Sequence, residues 1–465
     1  MLKKENKKGK IHKVFNLFGI RFKFFVGFES SFYINKYLKN IRPYKSSSHK
    51  IWDVEPKNRN QILKLDWNEA TIPPSPLVQE RLQKLLDEKN FLNLYPRTQN
   101  DKILNLLAKY TGLNEYNLQY FASSDSLHEY IAKMYIKEND KVLIQGPSYD
   151  NFRLTAQANG ADIYYSEVND DFEFNQEKFY NDLVKIKPTF VYICSPNNPC
   201  GYVNSISYIE KLLKDFVGTM FLVDEAYFEF CRESVQDLVL KYENILISRT
   251  MSKAFALANL RFGYLISSKN NIYNIANIRN PKNINSFTQE AAIAVLEDIP
   301  YMENYVNEVN RAKSFFYNEI AKFSDIIAYP SKANFVLLKF SNYKLKTDLY
   351  NYLQKNDIFV RNLQQSRKLY KCLRITIGTL PQMQRVIQVI SEFFETSHSK
   401  NSDYSKIAFF DFCETLVNFQ TGDAFIYYVA KNCKSLKIKF KRYCIDKKIK
   451  ILKPFKILKT SLFEL

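Results

Sequence analysis

The stretch FVYICSPNNPCG (residues 190–201), followed by TMFLVDEAYF (219–228), decides the fold of this chain. Each segment begins with a short apolar run and ends in a polar turn, the pattern of a strand that is buried on both faces. KVLIQGP (141–147) has the same form. Helical repeats such as LVQERLQKLLDEKN (77–90) alternate with these strands, which predicts an α/β domain with a largely parallel sheet.

Changes in composition divide the chain around these strands. The polar SSSHK loop closes a basic N-terminal stretch, three prolines mark an extended arm, and a polar stretch follows residue 394. We expect the following segments: a basic extension (1–50), an N-terminal arm (51–80), a large domain (81–300), a smaller α+β domain (301–395), a linker (396–406) and a C-terminal segment (407–465).

Polar side chains follow the buried strands where a cofactor could use them. Asp224 ends one strand, so its carboxylate would emerge at the carboxyl edge of the sheet, where open α/β sheets bind ligands. Tyr227 and Asn198 lie in the turns after two strands. Desolvation and a neighbouring positive charge would lower the pKa of the Lys253 amine. An amine, an acid for a pyridine nitrogen and donors for a ring oxygen are what pyridoxal 5′-phosphate (PLP) requires.

A phosphate group needs hydrogen-bond donors and positive charge, and the sequence offers both near Lys253. Arg261 follows it closely, and Thr250 and Ser252 directly precede it. The segment ASSDS (122–126) starts a predicted helix, whose N-terminus would present unpaired N–H groups to an anion. A lone lysine or strand-end aspartate is more often structural, but all these groups in order favour a PLP site.

From LDWNE (65–69) to LRITIGT (373–379) the chain resembles histidinol-phosphate aminotransferases and their relatives among the fold-type I PLP enzymes. The motifs SPNNPCG, VDEAY and T-x-SKAFALANLR-x-G carry the resemblance. It implies an α/β large domain with a mostly parallel seven-stranded sheet and a smaller α+β domain. It also implies Lys253 as the Schiff-base and proton-transfer residue, and Asp224 on the pyridine nitrogen.

The resemblance implies partners for the rest of the cofactor as well. Tyr227 and Asn198 would contact the ring oxygen, and the ring would stack on Tyr149. Tyr95 matches the tyrosine that relatives lend to the phosphate site of a neighbouring subunit, so a homodimer is expected. The residues expected around the phosphate are Ser124, Asp125, Thr250, Ser252 and Arg261.

Two arginines bear on the substrate. Arg374 matches the residue that holds the substrate α-carboxylate through a bidentate contact. Arg361 matches the position that meets the substrate phosphate in histidinol-phosphate enzymes, although either arginine could instead be a surface strand residue. The usual N-E-N-P-Y/F arm is NEATIP here, so the aromatic residue that closes over the substrate is missing, and Thr71 or Ile72 lies near its place. This departure puts histidinol phosphate itself in doubt.

Composition limits the other functions. The 465 residues carry a net charge of +19, of which +11 belongs to residues 1–50 and +7 to residues 401–465, so the body of the chain is nearly neutral. The seven cysteines have no paired C-x-x-C spacing and the four histidines are scattered, so no metal site is expected. Without a secretory signal, a reducing cytoplasm fits best.

The C-terminal segment IAFFDFCETL (407–416) resembles the first motif of haloacid-dehalogenase-type phosphatases, with Asp411 as nucleophile and Thr415 four residues on. Cys413 occupies the place of the general acid, and the chain ends before the later motifs, so we expect a truncated, inactive α/β tail. The basic ends favour solvated faces over contact with a membrane surface, and no nucleic-acid recognition module is visible.

The sequence therefore predicts a cytoplasmic, homodimeric PLP-dependent aminotransferase. It would transfer an amino group between an amino acid and a small carbonyl compound, phosphorylated or not, with small-molecule donors and acceptors as its partners. Two alternatives stay open. One is a PLP-dependent decarboxylase of a phosphorylated amino acid that uses the same residues, and the other is a non-catalytic scaffold with a vestigial PLP site.

Overall fold

The structure, a computed structural model, describes residues 50–363 and 367–400, positions 37 and 41, and three N-terminal strands. These strands, β1 (Lys3–Lys7), β2 (Lys10–Leu17) and β3 (Ile20–Phe28), pair antiparallel in that order. The chain divides into two compact units, Met1–Glu395 and Thr396–Leu465. The phosphatase-like segment predicted at 407–465 lies outside the described residues.

The first unit contains the remaining described strands, which form two further sheets. In chain order these strands are β4 (Leu63–Leu65), β5 (Leu118–Phe121), β6 (Lys141–Gly146), β7 (Asp162–Glu167), β8 (Phe190–Cys194), β9 (Met220–Asp224), β10 (Ile245–Thr250), β11 (Gly263–Ser267), β12 (Ile326–Ala328), β13 (Phe335–Phe340), β14 (Ile358–Leu363) and β15 (Cys372–Thr376).

Helices separate most of these strands, and none in the described part of the chain is long and apolar enough to cross a membrane. They are α1 (Pro76–Asp87), α2 (Asp101–Thr111), α3 (Ser123–Tyr135), α4 (Asn151–Ala158), α5 (Gln176–Ile186), α6 (Ile206–Asp215), α7 (Phe228–Cys231), α8 (Lys269–Ile278), α9 (Ser286–Glu297), α10 (Ile299–Ile320), α11 (Tyr343–Lys355) and α12 (Leu380–Lys400).

The central sheet has seven strands in the order β5-β11-β10-β9-β8-β6-β7. Strand β11 runs antiparallel to both of its neighbours, and the other pairs are parallel. Consecutive parallel strands require crossover connections, and the helices of the large α/β region supply them. The predicted α/β fold with a mostly parallel seven-stranded sheet is confirmed.

Both faces of this sheet are covered, which explains why its strands are apolar without alternation. On one face, Leu127 and Ile131 of α3 and Ile275 of α8 belong to the same buried cluster as the strand residues. On the other face, Leu183 of α5 and Leu212 of α6 join a second, larger cluster. The strand ends lie beyond these two apolar layers, so polar side chains there can face a ligand.

The smaller sheet follows the order β12-β13-β15-β14-β4. Its edge strand β4 comes from the N-terminal arm and pairs in parallel with β14, with Leu63 opposite Ile358 and Leu65 opposite Val360. Because Leu63 and Leu65 are both buried, burial anchors the arm here. The arm residues that follow β4 are thereby held at the edge of the smaller sheet.

Candidate active site

Side chains from the carboxyl ends of three adjacent strands meet at one edge of the central sheet. Cys194 at the end of β8 is the register partner of Asp224 on β9, which in turn is paired with Ser248 on β10. A cavity of about 440 Å³ opens at this edge, a volume in the range of small-molecule and cofactor sites. Every predicted site residue except Tyr95 lines it: Ser124, Asp125, Tyr149, Asn198, Asp224, Tyr227, Thr250, Ser252, Lys253, Arg261, Arg361 and Arg374.

The Lys253 amine points into this cavity and donates a hydrogen bond of 2.9 Å to the main-chain oxygen of Trp67. Burial lowers the pKa of Lys253 to about 8; Glu69 opposes this shift, while the positive charge of Arg374 adds to it. The positive charge therefore comes from Arg374 on β15, and not from the arginines that flank Lys253 in its own motif. Near neutral pH a larger fraction of this amine is therefore unprotonated than in an ordinary lysine, which favours covalent capture of an aldehyde.

Asp224 is buried and accepts three hydrogen bonds. Its Oδ2 accepts from the Tyr192 hydroxyl at 2.7 Å, and its Oδ1 accepts from the Ser248 hydroxyl and the Ala226 N–H, each at 3.2 Å. A carboxylate has about four acceptor positions, so one remains for a donor in the cavity. A protonated pyridine nitrogen is such a donor.

Tyr227 and Asn198 form a second hydrogen-bonded group. The Tyr227 hydroxyl oxygen accepts from the side-chain amides of Asn68 at 2.9 Å and Asn198 at 3.1 Å. Since both neighbours donate, the hydroxyl proton of Tyr227 is left to be donated. Burial raises the pKa of this phenol, so it keeps that proton. The group fits a donor to the ring oxygen of PLP.

A separate group of donors in the cavity suits a phosphate. Thr250 donates to the Ser252 hydroxyl at 2.9 Å, which places two hydroxyl groups beside the cavity. Ser124 and Asp125 form the first turn of α3, where main-chain N–H groups have no partner within the helix. The Arg261 guanidinium pairs with the Asp125 carboxylate at 3.0 Å. The carboxylate thus orients the arginine, and the main-chain N–H groups are the donors that fit an anion.

The close approach of β11 to α3 forms this site. A Cβ atom on Gly263 would lie 2.5 Å from the main-chain nitrogen of Ser124 and 2.7 Å from the carbonyl carbon of Ser123. Ser123 also has φ +88°, a costly conformation for a residue other than glycine and one that is typical of ligand sites. Tyr149 closes the site from the side, where its hydroxyl donates to Asp125 at 3.1 Å.

The two substrate arginines lie together. Arg361 on β14 and Arg374 on β15 are register partners, and both are buried at the cavity. Arg374 donates to the side-chain oxygen of Asn198 at 2.6 Å and to the main-chain oxygen of Asp66 at 2.7 Å. Like charges directly opposite each other in a sheet repel, so this pair favours an anionic ligand. Neither is the surface strand residue that the sequence left open.

Tyr95 lies apart from the cavity. Its side chain is 80% exposed, and the Lys282 ammonium lies 4.3 Å from the centre of its ring. The sequence assigned Tyr95 to the site of a neighbouring subunit. A contact with a neighbouring subunit cannot be seen in a single chain, so this assignment stays a prediction.

Sequence reasoning missed several residues that touch the site. Asn68 contacts Tyr227, and Trp67 and Trp52 line the cavity. Asn68 has φ +57°, the left-handed conformation that asparagine tolerates best among the larger residues, which turns its amide toward Tyr227. Asn68 is the first residue of the NEATIP motif, which is the sequence signal for its place beside the site. No local pattern marked Trp52.

Comparison with known proteins identifies the family of this chain. The sequence profile of the family "aminotransferase class I and II" matches residues 60–390. The chain belongs to this family. A dihydroxyacetone phosphate transaminase of Campylobacter jejuni is 42% identical over 365 residues, which cover 77% of this chain and 96% of the relative. A histidinol-phosphate aminotransferase of Ruminiclostridium cellulolyticum is 34% identical over 332 residues, covering 70% and 92%.

This chain has the same fold as a solved aminotransferase structure. The histidinol-phosphate aminotransferase of Sinorhizobium meliloti in complex with pyridoxal-5′-phosphate superimposes with a TM-score of 0.66 at 21% identity, covering 76% of this chain and 99% of that one. The predicted PLP cofactor and aminotransferase class are confirmed. This aminotransferase is a PLP-dependent enzyme, and its cavity contains an amine, an acid and a phenol of the kinds that this cofactor requires.

Proposed function

We propose that this aminotransferase transfers an amino group between an amino acid and a small phosphorylated carbonyl compound. The observation that carries the proposal is the pair of buried arginines, Arg361 and Arg374, side by side at the cavity. One guanidinium group would bind the carboxylate of the amino acid, and the other would bind the phosphate of its partner. The 42% identical relative from C. jejuni, which is named for dihydroxyacetone phosphate, supports a small phosphorylated acceptor.

The cavity also favours a small substrate. The space of about 440 Å³ has to hold both the cofactor and the substrate. Trp52 and Trp67 form part of its lining, and their large rings help to set this limited volume. A three-carbon phosphate fits this arrangement better than a substrate that carries an additional ring.

The site residues have separate tasks in this proposal. PLP supplies an electron sink for the negative charge that develops at the substrate α-carbon. Lys253 would hold the cofactor through its amine and would move a proton to and from that carbon. Asp224 would accept from the ring nitrogen and Tyr227 would donate to the ring oxygen. The phosphate would be held by Arg261, Thr250, Ser252 and the first turn of α3.

The active form in this proposal is a cytoplasmic homodimer. Leu92, Leu94 and Tyr95 are exposed in one short loop, a clustering of apolar side chains that is typical of an interface. A second copy of the chain would cover this loop and receive Tyr95 at its phosphate site. Light scattering of the purified protein should give twice the mass of the chain, and Leu94→Asp should shift it toward the mass of one chain.

The substrate assignment is tested with a matched pair of variants. With L-glutamate as donor, dihydroxyacetone phosphate should be aminated much faster than dihydroxyacetone. Arg361→Gln should raise KM for the phosphorylated acceptor about 10- to 100-fold, because a charged hydrogen bond to phosphate is lost. Arg311→Gln, which removes an exposed arginine paired with Glu308, serves as the control. Equal rates on both acceptors, unaffected by Arg361→Gln, would contradict the proposal.

A further inference from the structure

Behind Asp224 lies a group of buried polar side chains that does not reach the cavity. Asp224 is opposite Ser248 in the sheet register, and Tyr192 lies two residues before the other partner, Cys194. Alternation along each strand therefore brings Tyr192, Asp224 and Ser248 to one face of the sheet. Helix α3 covers that face and places His128 next to them, with its Nε2 2.9 Å from the Ser248 hydroxyl.

The directions of these hydrogen bonds follow from the carboxylate. An ionised carboxylate only accepts, so Tyr192 and Ser248 both donate to Asp224. The single proton of the Ser248 hydroxyl is then used, and His128 has to donate to Ser248 from Nε2. This assigns the Nε2–H tautomer to His128. The chain of donors runs from His128 through Ser248 to Oδ1, while Tyr192 fixes Oδ2.

His128 is held rigidly in this position. It is 1% exposed, and the rings of Phe152 and Tyr192 pack against it edge-on with centroid distances of 5.7 and 5.9 Å. Its Nδ1 has no hydrogen-bond partner among the residues that the structure describes. An N–H at that atom would be buried without an acceptor, a cost that again favours the Nε2–H tautomer.

Helix α3 contributes both to the phosphate site and to the surroundings of Asp224. Ser124 and Asp125 begin α3 at the phosphate site, and His128 follows one turn later. Residues three and four apart lie on the same helix face, about 5 Å along the axis. The helix that presents N–H groups to the phosphate thus also supports the acid at the ring nitrogen, so the two contacts to one cofactor share a rigid element.

We propose that His128, Ser248 and Tyr192 are positioning residues that aim the Asp224 carboxylate at the ring nitrogen of PLP. The inference rests on the role of Asp224 in the proposed function. An aspartate side chain rotates freely about two bonds in the absence of such partners, and a catalytic group has to be held within a fraction of an ångström of its productive geometry.

The test separates hydrogen bonding from volume. Ser248→Ala and His128→Leu remove donors, whereas His128→Gln keeps an amide donor near the original Nε2. We expect Ser248→Ala and His128→Leu to weaken PLP binding about tenfold or more and to change the visible absorption of the bound cofactor at fixed pH. His128→Gln should retain most of both properties. Ser267→Ala, which removes a buried hydroxyl from β11, should change neither and serves as the control.

Equal PLP affinity and equal spectra in Ser248→Ala, His128→Leu and the wild type would overturn the inference. Worse binding by His128→Gln than by His128→Leu would do the same, because retaining a donor near Nε2 would then bring no benefit. Ser248→Ala and Tyr192→Phe each remove a single oxygen atom, which keeps the test available if His128→Leu does not fold. Asp224→Asn separates the role of Asp224 from the role of the residues that position it. An unchanged spectrum in this variant would contradict the role of Asp224 itself.

Discussion

Replacing Tyr227 with phenylalanine removes one oxygen atom from the centre of the site. The ring itself keeps its edge-on contact with Phe335, at a centroid distance of 5.1 Å, so packing changes little. The amides of Asn68 and Asn198 both donate to the lost oxygen, and both residues are buried. A buried donor that loses its acceptor costs about 1–3 kcal/mol. Two such donors give an expected destabilisation of about 2–4 kcal/mol, since some relaxation will occur.

Urea denaturation of the apoprotein measures this change in the free energy of unfolding. Tyr202→Phe is the matched control, because the Tyr202 hydroxyl is buried and has no hydrogen-bond partner among the described residues. That variant should lose almost nothing. Tyr227→Phe should in addition alter the absorption of bound PLP, because a donor to the ring oxygen is lost. Equal stability of the two variants would refute the hydrogen-bond network inferred around Tyr227.

Three further perturbations test other parts of the site. Gly263→Ala should weaken PLP binding, because its Cβ would collide with the first turn of α3, whereas Gly218→Ala meets nothing within 4 Å and should bind PLP normally in equilibrium dialysis. Burial raises the pKa of Glu229 to about 7, so the free energy of unfolding falls as pH rises from about 4.5 through 7. In urea denaturation at pH 8, Glu229→Gln should be more stable than the wild type by up to about 3 kcal/mol. This gain in stability should vanish near pH 4. Burial lowers the pKa of Lys253 to about 8, so the rate of PLP capture by the apoprotein should rise with pH and level off above that value in stopped-flow absorption; a flat profile would contradict the assignment.

The parts of the site that the sequence predicted are those that follow strand ends. Asp224, Asn198 and Thr250 each close or follow a short apolar run, and parallel strands bring such positions to one edge. Lys253 and Arg261 were predicted differently, from one short motif in which hydroxyl and guanidinium groups surround a single lysine and from the family resemblance of that motif.

The residues that were missed depend on contacts between distant parts of the chain. Asn68 reaches Tyr227 because β4 joins the smaller sheet as its edge strand, and a three-residue strand gives too short a pattern to be recognised. His128 occupies an apolar helix face, where a structural interpretation is the more common one. Its role depends on the register that places Ser248 opposite Asp224, which pairing between strands determines.

The most direct measurement is the absorption spectrum of the purified protein with PLP, followed by additions of L-glutamate and then dihydroxyacetone phosphate. We expect a visible band that L-glutamate bleaches and the phosphorylated acceptor restores, with neither change in Lys253→Ala. A band that persists with amino donors while a phosphorylated amino acid releases carbon dioxide would contradict the account in favour of decarboxylation. Absence of any band, with Lys253→Ala indistinguishable from the wild type, would contradict the cofactor site itself.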